Sequence, residues 1–179
     1  MSKVKTGQFK VRILFIGPCN VGKSKIANFL ADMSLELPED VRATDSLRIL
    51  EYDLSDIDVN NQKANIDVQL WDTSGKESTS AYWPILRKYA DGIVFVSSGA
   101  DENGVKGMDY MYNYFITQQN FSLRACLVCS LTNPESNTTK LPSMFTKISQ
   151  INVNLEANSQ KFRQEFTKFV ISVINTMEY

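Results

Sequence analysis

There is no histidine in the 179-residue sequence, and there are only three cysteines. The first absence removes every acid–base device and nucleophilic triad built on imidazole, and leaves little for a transition-metal site. The odd cysteine count argues against a disulfide framework and suits a reducing compartment. Cys126 and Cys129 form a CxxC pair, but Leu127 and Val128 between them belong to a strand-like run, so no redox or zinc role is expected. An excess of either charge is also missing. Nineteen basic against 20 acidic residues leave a net charge of −1, without the basic surplus of a nucleic-acid binder. No apolar run approaches the roughly 20 residues that span a bilayer. The opening MSKVKTGQ has no secretory core, Ser2 excludes glycine myristoylation, and residues 175–179 hold no prenylation cysteine. A cytoplasmic protein without a membrane anchor is expected.

Hydrophobic residues make up 43% of the chain, enough for a full core in a single domain over residues 1–179. Apolar periodicity gives strands over 9–16, 47–54, 66–70, 92–98, 125–131 and 145–153. Between them, helical spacing runs over 24–33, 82–89 and 108–115, and a last helix carries Phe162, Phe166, Phe169, Val170, Val173 and Met177. The phase slip between Ile49 and Leu50 predicts a bulge or an edge strand, and the turn residues 58–63 predict a hairpin. The stretch between Leu131 and Phe145 has two prolines and little periodicity, so its crossover helix should be shortened or absent. These elements make a three-layer α/β fold, a mostly parallel six-stranded sheet with one antiparallel edge strand.

The stretch GPCNVGKS follows the first strand directly. Gly17 and Gly22 let the backbone curl so that successive N–H groups face a phosphate. Lys23 neutralises its charge, and the Ser24 hydroxyl suits Mg²⁺. Pro18, Cys19, Asn20 and Val21 form the rest of the loop, and Lys25 lies in the first turn of a helix whose positive dipole end faces the same anion. DTSG at 72–75 ends the third strand, where Asp72 can hold Mg²⁺ through water and the Gly75 N–H can meet a γ-phosphate. Thr44 is the candidate switch-loop threonine for Mg²⁺ and γ-phosphate, or else simply begins a strand.

With these motifs in place the chain resembles the Ras-like small GTPases, P-loop NTPases with a G domain, along nearly its whole length. GPCNVGKSKIANFL, LRILEYD and LWDTSGKESTSAYWPILRKYADGIVFV are similar to the Rab-like 5 branch, the intraflagellar transport protein 22 family. The resemblance implies GTP/GDP and Mg²⁺ as ligands. It also implies incorporation into intraflagellar transport complex B through coiled-coil subunits, in a cilium or flagellum and at its base.

Four features depart from the small-GTPase pattern. Lys76 stands where a glutamine usually orients the attacking water, and a charged lysine cannot accept that water's proton. Cys19 adds a side chain where efficient enzymes keep glycine. Both predict slow or no hydrolysis. Ser130-Leu131-Thr132-Asn133 replaces the usual guanine-reading run, and Asn133 offers one acceptor where an aspartate would offer two. No clear counterpart of the Ser-Ala-Lys base loop exists near Asn154-Leu155-Glu156. Two rivals therefore remain: an active Rab- or Arf-like switch in vesicle traffic, and a nucleotide-indifferent pseudo-GTPase. Trp83, in the segment after Gly75, is either an interface anchor or core.

Overall fold

The computed structural model describes residues 7–32, 47–98, 102–131 and 141–177. In chain order these form β1 (Gly7–Ile16), α1 (Lys23–Leu30), β2 (Leu47–Val59) and β3 (Gln62–Thr73). A 3₁₀ turn (Glu77–Tyr82) leads into α2 (Trp83–Tyr89), then β4 (Gly92–Ser97). α3 (Glu102–Tyr112) continues as one π-helical stretch (Asn113–Gln118) before β5 (Cys126–Leu131), β6 (Ser149–Val153) and α4 (Ser159–Ile174). The sheet order is β2-β3-β1-β4-β5-β6. Only the β2–β3 pair is antiparallel, which puts the reversed strand at an edge.

Helices cover both faces, and the sequence accounts for it. β4 is buried at every residue, as a central parallel strand must be. Phe15 stacks on Phe166 of α4, and Phe29 of α1 meets Phe162 of α4, so α1 and α4 share one face. On the other, Phe95 packs against Tyr112 and Phe145. Arg163 of α4 lies over the Phe29 ring at 4.3 Å and donates to the carbonyls of Phe29 and Leu30. It thereby caps the C-terminal end of α1, whose last carbonyls have no partner inside the helix. The buried Cys126 and Cys129 are core residues, and burial pushes the Cys126 thiol up to about 12, which suits the inert role expected.

Several boundaries differ from the sequence reading. α1 stops at Leu30 rather than Met33, because Asp32 turns left-handed at φ 54°. Phe145 is not in a strand. It sits in a 3₁₀ turn (Ser143–Lys147) that presses its ring onto Phe95, and β6 starts only at Ser149. Among the described residues of that crossover, this turn stands where an α-helix would be usual.

The bulge is displaced too. The hairpin turns at Asn60 and Asn61, with φ 51° and 63°, the left-handed pair of a tight primed turn. Pairing is regular through Ile49 and Leu50 and breaks between Leu54 and Ile57 instead. There Asp56 adopts φ 57° and its N–H donates to Asn65 Oδ1 at 3.3 Å. The apolar phase slip at 49–50 reflects the edge position, the other expected cause: Ile49 faces solvent on the edge strand β2 while Leu50 is half-buried.

Candidate functional site

The loop between β1 and α1 gathers most of the predicted residues. Gly22 stands at φ 94°, a conformation costly to any other residue, and opens α1. Lys23 is 6% exposed, and its ammonium donates to the carbonyls of Gly17 at 2.8 Å and Pro18 at 2.7 Å. The side chain therefore folds back along the inside of the loop. Burial pushes its pKa down to about 8, with Asp72 and then Cys19 pulling the other way. A cation so poorly hydrated gains from an anion set in the loop. Val21 is buried and Pro18 half-buried, while Cys19, Asn20 and Lys25 are exposed; Ser24 is half-buried at the first turn.

β3 brings the second group. The Thr73 hydroxyl donates to the Phe15 carbonyl at 2.7 Å, fastening the end of β3 beside the end of β1. Asp72 is 0% exposed, accepts from Arg48 through Oδ2, and keeps Oδ1 buried without a hydrogen-bond partner. Three residues on, a Cβ at Gly75 would lie 2.5 Å from the Cys19 nitrogen and from the Pro18 carbonyl carbon. Only glycine permits that approach, and through it the DTSG segment rests on the loop between β1 and α1. Lys76 follows, exposed, its backbone N–H donating to Ser74 Oγ at 3.2 Å. The Thr79 hydroxyl closes the turn onto the Lys76 carbonyl at 2.6 Å.

The chemistry of this donor set fits magnesium. Ser24 and Asp72 offer oxygen ligands only, and the orphaned Asp72 Oδ1 is an acceptor in want of a donor or a metal-bound water. No cluster of three or more histidine, cysteine or acidic residues exists among the described residues, so a cation here would rely on ligand phosphate oxygens as well.

The remaining predicted residues divide. Ser130 lies half-buried near the end of β5, between Ser97 and Asn152, and the neighbouring Leu131 side chain abuts Gly22, so this strand end does reach the loop. Thr44 and Asn133 lie outside the described residues. A cavity of about 350 Å³ opens beside the loop, lined by Pro18, Gly75, Lys76, Trp83, Lys106, Gly107, Tyr110 and Met111. It does not include Lys23 or Ser24, but through Pro18 and Gly75 it borders the β1–α1 loop. Trp83 itself is core. It is 5% exposed, with ring centroids 5.2 Å from Tyr110 and from Tyr114 and 5.3 Å from Phe115.

Sequence reasoning missed Arg48 and Asn28. Counting back from the Asn60–Asn61 turn without a bulge puts Ile49 opposite Asp72; the shift at Leu54/Ile57 puts Arg48 there instead. The signal, an Asp–Asn-rich strand end, reads as turn chemistry alone.

Comparison with known proteins agrees with this geometry. The family described as Ras of Complex, Roc, domain of DAPkinase matches residues 12–133. The chain is 32% identical to the intraflagellar transport protein 22 homolog of Danio rerio and 33% identical to that of Homo sapiens, covering 94% of this chain and 92% of each relative. The T. brucei IFT22/74/81 GTP-bound crystal structure superposes with a TM-score of 0.70 at 25% identity, over 94% of this chain and 99% of that one. The GDP-bound T. brucei IFT22 structure gives 0.62 at 26%, over 93% and 96%. Loop, sheet order and relatives agree: the chain belongs to the intraflagellar transport protein 22 family, on a Ras-like G domain.

Proposed function

We propose that this chain is a guanine-nucleotide-binding subunit of intraflagellar transport complex B, which presents a nucleotide-dependent surface to a coiled-coil partner pair during cilium assembly. The observation that carries the reading is the convergence of Lys23, Asp72 and Gly75 on one loop, with Gly75 seated against the Pro18–Cys19 backbone. A γ-phosphate at that loop would meet the Gly75–Lys76 segment directly, and that segment continues without a break into α2. Bound magnesium would neutralise phosphate charge, with Ser24 and Asp72 holding it and Thr44 as the third named residue. GTP- and GDP-bound relatives support the choice of guanine, and the partner complex of the T. brucei relative supports the assembly.

The surface that would report the nucleotide is not Trp83. On α2, Trp83 and Leu86 face the core, while Ile85 and Tyr89, with Tyr82 just before the helix, are exposed, Ile85 at 61%. Large apolar side chains projecting from a segment tied to the phosphate loop suit the buried centre of a protein interface. Ile85→Asp should weaken binding of the coiled-coil pair by about 2 kcal/mol, roughly thirtyfold, with little change in melting temperature. The measurement is calorimetric titration of wild type and variant, each loaded with GDP or a non-hydrolysable GTP analogue. Wild type should prefer the triphosphate; equal affinity in all four titrations would remove both the surface and the gating.

Hydrolysis should be slow. The Lys76 side chain carries no carbonyl to orient a water, and Cys19 adds bulk at the loop's exposed crest. Single-turnover GTP cleavage is expected near the unassisted scale of about 10⁻⁴ s⁻¹, with only a modest gain in Lys76→Gln. A wild-type rate of about 10⁻² s⁻¹ or more would contradict the slow-turnover reading.

A further inference from the structure

Arg48 of β2 stands directly across the antiparallel pair from Asp72 of β3, so the two side chains share one face of the sheet. Its Nη2 donates to Asp72 Oδ2 at 3.0 Å and to Asn28 Oδ1 of α1 at 2.8 Å. Asn28 is itself buried, and Arg48 Nε and Asp72 Oδ1 are both buried without hydrogen-bond partners. One carboxylate oxygen is thus committed to the guanidinium while the other is kept open.

We propose that Arg48 is a built-in counter-ion of the magnesium-holding carboxylate and sets how strongly nucleotide retention depends on magnesium. The inference rests on the phosphate-site reading given above. A fully buried carboxylate needs a compensating cation or it is strongly destabilising. Lys23 supplies part of that charge from the loop, but its hydrogen bonds go to the Gly17 and Pro18 carbonyls. Arg48 makes the direct pair. Two cations drawn to one carboxylate weaken each other's binding, so Arg48 lowers magnesium affinity while holding Asp72 in place when the metal leaves. The Arg48 side chain is 40% exposed, and solvent screening therefore limits the effect to a modest factor.

The strand irregularity gains a purpose on this account. An unbulged hairpin would place Ile49 opposite Asp72, and the extra residue at Leu54/Ile57 delivers the cation instead. Bulges re-aim side chains next to functional sites, and here the re-aimed residue is Arg48.

The test is release of a preloaded fluorescent GDP analogue, followed across magnesium concentrations from excess chelator to millimolar. Arg48→Gln should lower the magnesium concentration for half-maximal retention by about fivefold, and should speed release in chelator. Arg48→Lys, which keeps the charge, should leave the half-point near wild type. An unchanged or raised half-point in a Gln variant that still melts cooperatively overturns the proposal. Should that variant fail to fold, Asn28→Ala, which leaves the guanidinium wholly to Asp72, must raise the half-point; no change or a fall overturns it equally. Failure of wild type to take up the nucleotide at all is a different result, and defeats the phosphate-site reading itself.

Discussion

Trp83→Ala should lower stability by about 3–5 kcal/mol, the usual cost of emptying a buried indole site. For a chain of this size that corresponds to a fall of about 10 °C in melting temperature. The indole is the hub of an aromatic cluster with Tyr110, Tyr114 and Phe115, and it ties α2 to α3 and its π-helical continuation. It also lines the 350 Å³ cavity beside the loop, so truncation would enlarge a space that neighbours cannot easily fill. Trp83→Phe should lose much less, since an aromatic ring remains for the stacking. Thermal melts of the three proteins decide it. A melting temperature unchanged by alanine would return Trp83 to the surface and undo the placement of the partner face on Ile85.

Lys23→Ala should weaken nucleotide binding at least tenfold, about 1.4 kcal/mol or more, since it removes the cation buried inside the phosphate loop. The same change should not destabilise the protein without nucleotide. Lys23 is held in a poorly hydrated position that pushes its pKa down to about 8, so at neutral pH its charge carries a burial cost that two carbonyls and the pull of Asp72 and Cys19 offset only in part. Removing it relieves that cost. Titration with a fluorescent guanine nucleotide should therefore show the loss, while the melting temperature in nucleotide-free buffer stays level or rises. Unchanged affinity would mean that the loop is not the phosphate site. A large loss of nucleotide-free stability would mean that Lys23 is structural.

What was legible in the sequence was what short-range patterning controls. The tight loop between β1 and α1 follows from Gly17 and Gly22 ahead of Lys23 and Ser24, and the alternation of apolar runs predicts the strand order that forms the sheet. The antiparallel edge followed from the turn residues at 58–63. What escaped was set by register and by packing across the sheet. A single extra residue at 55–56 decides whether Ile49 or Arg48 faces Asp72, and nothing in the local hydropathy near residue 49 reports it. Phe145 reads as the first apolar residue of a strand, yet its ring is claimed by Phe95 and Tyr112, which bends the backbone into a turn. Trp83 has the composition of an interface residue and the neighbours of a core one. Helix spacing alone allows either face, and only the aromatic partners on α3 and the π-helical stretch choose.

Whether this loop holds a guanine nucleotide can be read from the nucleotide that the purified protein carries. Protein prepared in magnesium-containing buffer is denatured, and the released nucleotide is resolved by ion-exchange chromatography and confirmed by mass. The account predicts GDP or GTP at close to one mole per mole of wild type, and a sharply reduced load in Lys23→Ala prepared in parallel. Adenine nucleotide in its place, or a wild type that carries none and takes up none when GTP is supplied in excess, would contradict it.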